Sequence, residues 1–247
     1  MGGFFSVFSF LKKGRAMFKK KAEKEFFKML QNTNKIIPYD GSSDPYHTTF
    51  PEFLAQVNME KKKVLEIGSR NVTEEVRSQL FNQADYTGFD VLEGENVHVV
   101  GDAHELSSYF PAGDFDGIFS ISVFEHLLMP WKVILEINKV LKNEGIVFIS
   151  THPAWAMHEL PWDFWRFQKN SFHALLNKYT GFEILKIEEG LPCRIISMVN
   201  DPPTRNLINY PANLGVSVIA KKVCDYDSNL QWNIPLHGVI DTMYPKK

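Results

Sequence analysis

The chain has 247 residues, of which 44% are hydrophobic and 23% are charged, and its formal net charge at pH 7 is −2. This length accommodates one large α/β domain with a short accessory segment, and the composition excludes extensive disorder, a collagen-like repeat and a disulfide scaffold. Two cysteines, Cys193 and Cys224, are typical of a reducing compartment, so we expect a cytoplasmic protein. The near-neutral charge argues against a general nucleic-acid-binding protein.

The charge is distributed unevenly along the chain. Residues 1–30 contain eight Lys and Arg residues against two Glu residues, a net charge of +6, which leaves −8 for the remainder. The apolar stretch at residues 2–11 is about half as long as a membrane-spanning helix must be. Two interpretations stay open for this head. It is an interfacial anchor that gives weak association with the inner membrane, or a helix whose apolar side caps the main domain.

Strand-like and helix-like patterns alternate through the middle of the chain. Short apolar runs predict buried strands at residues 63–67, 86–90, 97–100, 117–122 and 146–150. Periodic apolar positions predict helices at residues 71–82, with Asn71 as the N-cap, and at residues 130–142. Only residues 91–96 separate the second and third strands, so that connection is too short for a full helical crossover.

The C-terminal part predicts a helix at residues 170–179 and two late strands at residues 182–188 and 215–222. The late strands flank a Pro-rich insert, residues 191–214, and the lack of a regular helix between them predicts an antiparallel hairpin. The whole pattern is typical of an open parallel sheet with helices on both faces.

Candidate binding residues follow the ends of the predicted strands, where open parallel sheets bind their ligands. Gly68 lets the backbone approach a ligand, Asp90 can accept hydrogen bonds from both ribose hydroxyls, and Asp102 follows the third strand, where it can meet an adenine. These residues predict an adenosine site. Gly68 stands without the other glycines of the G-x-G-x-x-G pattern that holds a dinucleotide pyrophosphate, so a nicotinamide cofactor is disfavoured.

Four segments resemble the motifs of class I S-adenosylmethionine-dependent methyltransferases. VLEIGSR (residues 64–70) resembles the first motif, YTGFD (residues 86–90) the acidic second and GDAHEL (residues 101–106) the third. Residues 115–150 resemble the fourth motif with its helix and the fifth strand. The resemblance covers about residues 60–190. Arg70 stands where the first motif usually has a glycine.

The resemblance implies a fold, a domain division and a cofactor. The fold is α/β, a Rossmann-like open seven-stranded sheet, mostly parallel, with a C-terminal antiparallel hairpin. Residues 59–247 form this domain, behind an N-terminal basic, Phe-rich helical head and cap at residues 1–58. The cofactor is S-adenosylmethionine, which leaves as S-adenosylhomocysteine. The residues implied to bind it are Glu66, Gly68, Ser69, Arg70, Asp90, Val91, Asp102, Ala103, Ile121 and Ser122.

The segment HPAWAMHELPWDFWRF, residues 152–167, resembles a subgroup of bacterial enzymes that modify surface polysaccharides. Within residues 151–170 we therefore expect an acceptor site for a small molecule: a sugar, a nucleotide-linked sugar or another precursor of capsule or lipopolysaccharide. The candidate catalytic residues are His126, His158, Asp163 and Arg166. Structural alternatives stay open for all of them: a hydrogen bond at a helix start for His126, and a packing loop with an Asp163–Arg166 pair for the others.

Two further expectations concern function. We expect no metal site, because a set of His152, His158 and Asp163 has no second cluster with ligand spacing to support it. The alternative to an enzyme is a non-catalytic, methyltransferase-like scaffold protein whose basic head meets a membrane or a partner.

Overall fold

A computed structural model describes residues 41–72, 76–199 and 201–230, with six isolated positions between residues 20 and 28. Most of the predicted head, and with it the proposed membrane anchor, lies outside the described residues. The described residues fall into a smaller unit, within Met1–Asp40 and Ile195–Asn209, and a larger one, within Gly41–Arg194 and Tyr210–Lys247. Among them, no helix has the length and apolar character required to cross a bilayer.

A seven-stranded sheet is the centre of the larger unit. Its strands are β1 (Lys63–Ile67), β2 (Asp85–Asp90), β3 (Val99–Val100), β4 (Phe115–Ile121), β5 (Leu141–Thr151), β6 (Phe182–Cys193) and β7 (Ala212–Lys222). Their spatial order is β3-β2-β1-β4-β5-β7-β6. The first five strands pair in parallel, whereas β7 is antiparallel to both β5 and β6. The predicted fold class and the C-terminal hairpin are confirmed.

Among the described residues of the larger unit, three α-helices accompany the sheet: α1 (Pro45–Val57), α2 (Pro130–Val140) and α3 (Ser171–Leu175). The helices on the two faces follow from the alternation of side chains along the strands. Leu65 of β1 packs with Ile134 of α2 in one core cluster, and Val64 packs with Phe53 of α1 in the other. The helix predicted at residues 130–142 ends at Val140, because Leu141 already belongs to β5.

The helix predicted at residues 71–82 is wrong over its described part. Of those residues, only Arg77–Leu80 are helical, and they form a short 3-10 helix. The Asn71 side chain, expected to cap the helix, donates to Glu95 Oε2 at 2.9 Å, and the Asn71 N–H donates to the Glu95 carbonyl at 3.1 Å. Leu80 is 44% exposed, so the apolar positions that predicted the helix do not all face the core.

Helix α1 lies within the predicted head and cap at residues 1–58, and it packs on the sheet. Asp44 caps it by accepting from the Tyr46 N–H at 2.9 Å. Val57 is fully buried, and a Cβ added to Gly117 of β4 would lie 2.6 Å from Val57 Cγ1. This close approach groups α1 with the sheet, in the larger unit.

Replacing Phe53 by Ala tests this grouping. The ring is fully buried, and its centroid lies 5.8 Å from each of the rings of Phe50, Phe119 and Phe148. We expect the free energy of unfolding in urea to fall by about 3–5 kcal/mol, because removal of a buried ring leaves a cavity. Gln56→Ala, on the exposed side of α1, is the control and should cost less than about 0.5 kcal/mol. A loss below about 1 kcal/mol for Phe53→Ala would contradict the grouping.

Candidate active site

The turn after β1 forms the methionine side of the predicted cofactor site. Gly68 has a φ of +83°, and a Cβ there would lie 2.1 Å from Val123 Cγ2, so no side chain fits. The N–H groups of Gly68 and Ser69 donate to the Phe89 carbonyl at 2.8 and 3.1 Å. Ser69 Oγ and Arg70 Nε are buried and have no hydrogen-bond partner among the described residues. Such atoms are expected where a ligand supplies the partner.

Asp90, at the end of β2, holds the same turn. Its Oδ2 accepts from the Arg70 N–H at 3.2 Å, and its Oδ1 accepts from the Leu92 N–H at 3.0 Å. An ionised carboxylate offers about four lone-pair sites, so each oxygen can still accept one hydroxyl of a ribose. Val91 follows at this edge and is 66% exposed.

Asp102 caps the 3-10 helix Ala103–Ser108 on the predicted adenine side. It accepts from the His104 N–H at 2.9 Å and from His104 Nδ1 at 2.6 Å. Burial raises the pKa of Asp102, but these hydrogen bonds outweigh it and leave that pKa below its ordinary value. The Met129 N–H donates to His104 Nε2 at 3.1 Å, so the proton of this neutral imidazole lies on Nδ1. Ala103 is buried beside this cap.

Glu136 of α2 fixes the position of this 3-10 helix. Its carboxylate accepts from the Ser107 N–H at 2.8 Å, from Ser107 Oγ at 2.7 Å and from Lys139 Nζ at 2.5 Å. Burial raises the pKa of Glu136, but the hydrogen bonds from Lys139 and Ser107 outweigh that effect and lower the pKa overall. The position of the predicted adenine side therefore depends on the buried, charged carboxylate of Glu136.

Glu136→Gln should reduce the free energy of unfolding at pH 7 by about 1–3 kcal/mol, because it removes charge-assisted hydrogen bonds. A lowered folded-state pKa stabilises the protein above the unfolded-state pKa of about 4.3, and this contribution is lost as the pH falls through the folded-state pKa. Urea titrations at neutral and acidic pH should show that the difference in the free energy of unfolding between wild type and variant becomes smaller as the pH falls. A difference that stays constant with pH would contradict a role for the charge. Glu52→Gln, in an exposed ion pair with Lys186, is the control.

Glu66 lies on the face of β1 that packs against α1 and is almost fully buried. The Tyr86 hydroxyl donates to Glu66 Oε2, and Arg77 Nη1 lies 3.5 Å from Oε1. Burial raises the pKa of Glu66, and hydrogen bonds from Tyr86 and Arg77 partly oppose that. Asn96 Nδ2 donates to the Tyr86 hydroxyl at 2.8 Å and to the Ser69 carbonyl at 2.9 Å. Glu66 thus supports the cofactor turn through a chain of hydrogen bonds, and its direct contact with the cofactor stays a prediction.

The end of β4 joins the cofactor side to the acceptor side. Ile121 packs toward the core cluster of α1. Ser122 follows with a φ of +54°, and its N–H donates to the Ser150 carbonyl at 2.9 Å. Ser122 Oγ then lies 3.3 Å from Nε2 of His152, which follows β5. The two strand ends bring a predicted cofactor residue next to a histidine of the acceptor segment.

A cluster of imidazoles surrounds Glu125, a fully buried residue beyond the end of β4. Glu125 Oε2 accepts from Thr151 Oγ1 at 2.6 Å. Glu125 Oε1 lies 3.4 Å from His152 Nε2 and 4.0 Å from His126 Nε2. The rings of His126 and His158 meet edge to face at 4.7 Å. His126 and His158 were predicted as site residues, but Glu125 was not, because only the pairing of β4 with β5 brings it to Thr151 and His152.

Asp163 and Arg166 form a bidentate ion pair, with nitrogen–oxygen distances of 2.6 and 2.8 Å. Hydrogen bonds from Arg166 hold the pKa of Asp163 well below its usual range. The other N–H groups of Arg166 point at the backbone carbonyls of Trp155, Ala156 and Trp165. These contacts agree with the structural alternative, in which Asp163 and Arg166 pair to hold a packing loop. A catalytic part for Asp163 or Arg166 stays a prediction.

The loop at residues 153–166 crosses the imidazole cluster and exposes aromatic rings. The N–H groups of Phe164 and Trp165 donate to the Glu125 carbonyl at 2.9 and 3.1 Å. The Trp155 ring stacks on that of His152 at 4.5 Å. Trp162 is 62% exposed. Flat apolar faces therefore stand beside the imidazoles.

Two cavities, of about 450 and 410 Å³, border α1 rather than the carboxyl ends of the parallel strands. The larger includes Ser43, Glu189 and Asn213, and the smaller includes Tyr46 and Arg77. We place the candidate site at the strand ends, because the orphaned donors and the imidazole cluster lie there.

The model of the family described as "Methyltransferase domain" matches residues 44–189, more than half of the chain. The chain belongs to this methyltransferase family. Its structure is similar to that of an S-adenosylmethionine-dependent methyltransferase from Archaeoglobus fulgidus, with 19% identity, a TM-score of 0.52, and coverage of 72% of this chain and 91% of the other.

A second similar structure is the 1,6-didemethyltoxoflavin-N1-methyltransferase of Burkholderia thailandensis, with bound 1,6-didemethyltoxoflavin and S-adenosylhomocysteine. It shows 13% identity, a TM-score of 0.53, and coverage of 91% of this chain and 92% of the other. A putative methyltransferase from Bacillus halodurans has 12% identity, a TM-score of 0.52, and coverage of 71% and 99%. At these identities the likeness shows the fold. No curated protein sequence matches this methyltransferase.

The prediction of an S-adenosylmethionine-dependent methyltransferase is confirmed by the family and the fold. S-adenosylmethionine supplies a methyl group on a sulfonium. The described residues fit this cofactor: Ser69 Oγ and Arg70 Nε lack hydrogen-bond partners at the turn after β1, and Asp90, whose Oδ1 lies 3.7 Å from Arg70 Nε, has acceptor capacity for the ribose. The polysaccharide-modifying subgroup stays a prediction.

Asp90→Asn tests the frame. We expect the affinity for S-adenosylhomocysteine to fall by about tenfold or more, because an amide loses a charged acceptor that both ribose hydroxyls need. Calorimetric titration measures the change. Asp85→Asn, at the exposed start of β2, is the matched control and should bind normally. Unchanged binding by Asp90→Asn would show that the frame is misplaced.

Proposed function

We propose that this methyltransferase transfers the methyl group to a hydroxyl of a sugar, a nucleotide-linked sugar or another surface-glycan precursor. The observation that carries the proposal is the exposed aromatic loop directly beside the imidazoles that surround the buried Glu125. Tryptophan rings offer flat apolar faces on which a sugar or a base can stack. Trp155 and Trp162 are 46% and 62% exposed at this place.

A hydroxyl acceptor also needs a group that takes its proton. His152 Nδ1 lies 3.2 Å from the Leu214 carbonyl, which can only accept, so Nδ1 carries the proton and Nε2 keeps its lone pair in the neutral ring. That Nε2 lies between Ser122 on the cofactor side and Glu125. The buried carboxylate of Glu125 lies 3.4 Å from this Nε2.

The transfer is balanced as a single displacement. The acceptor oxygen forms a bond to the methyl carbon, and the carbon–sulfur bond breaks with its electron pair on sulfur, which yields S-adenosylhomocysteine. The hydroxyl proton goes to His152 Nε2. The sulfonium is already a good leaving group, so alignment of oxygen, carbon and sulfur supplies most of the acceleration.

The proposal includes a cytoplasmic location. Cys193 and Cys224 are both free thiols, which suits a reducing compartment. Weak membrane association through residues 1–30 would bring the enzyme near lipid-linked precursors, and this part concerns residues that lie mostly outside the described ones.

The acceptor is tested by mass spectrometry of nucleotide sugars and glycan precursors incubated with the enzyme and methyl-labelled cofactor. We expect one class of these compounds to gain a single labelled methyl group. His152→Asn should lower kcat by about 100-fold or more, because it removes the base, while S-adenosylhomocysteine still binds. His173→Asn, on α3, is the matched control and should keep full activity. The proposal fails if no precursor gains a methyl group while the folded enzyme binds its cofactor.

A further inference from the structure

One carboxylate oxygen in this site lacks a partner. Glu125 is fully buried, and its Oε2 accepts from Thr151 Oγ1, but its Oε1 has no hydrogen bond from any described residue. A buried polar atom without a partner costs free energy, and an ionised one costs more. Such an atom therefore indicates a group that the protein chain itself does not provide.

Imidazole nitrogens converge on this oxygen. His126 Nε2 lies 4.0 Å from Glu125 Oε1, and a ring nitrogen of His158 completes a group of three ligand atoms within 4.8 Å of one another. His152 Nε2 is a third nitrogen nearby, 3.4 Å from Glu125 Oε1. A buried acid and three imidazoles thus share one small volume.

The outer contacts of the histidines orient them as metal ligands are oriented. His126 Nδ1 lies 2.5 Å from the Trp162 carbonyl, and His158 Nδ1 lies 3.1 Å from the Ala156 carbonyl. Because a carbonyl only accepts, each Nδ1 carries the proton, and each neutral ring keeps a lone pair on Nε2. Metal-binding histidines characteristically donate their other N–H to such a carbonyl.

We propose that Glu125, His126 and His158 bind a divalent transition-metal ion of the zinc class. Two imidazoles and one carboxylate are the ligand set of catalytic zinc sites that keep a further position open. Mg²⁺ and Ca²⁺ prefer oxygen ligands, so this donor set disfavours them. Bonds of about 2.0–2.1 Å in a tetrahedron place neighbouring donors about 3.3 Å apart, so the three donors need to approach by about 1 Å.

The Asp163–Arg166 pair holds one of the proposed metal ligands in place. Asp163 Oδ2 accepts from the His158 N–H at 3.1 Å, and Arg166 holds that carboxylate from the other side. The pair thereby fixes the backbone of a proposed ligand. Asp163 and Arg166 are positioning residues for the ion.

The ion would have an open position next to the acceptor segment, because His158 belongs to that segment. An acceptor hydroxyl bound there would lose its proton more readily, since a metal ion stabilises the oxyanion, and His152 Nε2 remains beside Glu125 to take that proton. This role rests on the proposed function. The binding of the ion does not.

The test is a calorimetric titration of the untagged full chain with ZnCl₂ alone, after treatment with a chelator. Cys193→Ser and Cys224→Ser form the background, because free thiols also bind zinc. We expect about one ion per chain, and Glu125→Gln and His158→Ala should each weaken binding by about tenfold or more. His173→Ala, on α3, is the matched control and should bind zinc like the background protein.

A second measurement does not depend on the variants. Co²⁺ bound by the background protein should show the visible absorption of a four- or five-coordinate ion, and an octahedral spectrum would overturn the proposal. Absence of saturable zinc binding would overturn it. Correctly folded Glu125→Gln and His158→Ala variants that bind zinc as tightly as the background protein would also overturn it. Both titrations contain neither cofactor nor acceptor, so methyl transfer without zinc binding would refute the metal site and leave the proposed function intact.

Discussion

Parallel pairing of β1, β2, β3, β4 and β5 is the constraint on which the site depends. Because these strands run in the same direction, their carboxyl ends meet at one edge of the sheet. Gly68, Asp90 and Asp102 follow three of those ends, whereas Glu125 and His152 follow the ends of β4 and β5. Residues more than 80 positions apart in the sequence thereby form one continuous edge that can hold a cofactor and an acceptor side by side.

Buried carboxylates act on this edge in three different ways. Glu136 is fully hydrogen-bonded and fixes the adenine side. Glu66 is buried with hydrogen bonds from Tyr86 and Arg77, and it supports the methionine side through Asn96, which bonds to Tyr86. Glu125 is satisfied at only one oxygen among the described residues. The first two carboxylates have a structural explanation within the chain, and the third points to a ligand.

Patterning predicted the sheet well and the helices less well. The apolar runs at residues 64–67 in β1 and 146–150 in β5 are buried in the structure at the predicted positions, because a strand covered on both faces needs apolar side chains on both. The prediction of a helix at residues 71–82 failed because Asn71 bonds to Glu95, in the loop after β2, instead of capping a helix. A tertiary hydrogen bond of this kind leaves no periodic signal.

The sequence by itself determined where the strands lie along the chain, the glycine at the first turn, and the acids Asp90 and Asp102 near the ends of β2 and β3. It also determined the family to which these motifs belong. These features are local, since they depend on residue type within a few positions of a strand end. The tertiary structure alone decided which side chains meet. In the structure, Arg166 donates its hydrogen bonds within its own loop, to Asp163, and Glu125 lies among His126, His152 and His158. Such contacts depend on strand pairing and burial, which no local pattern records.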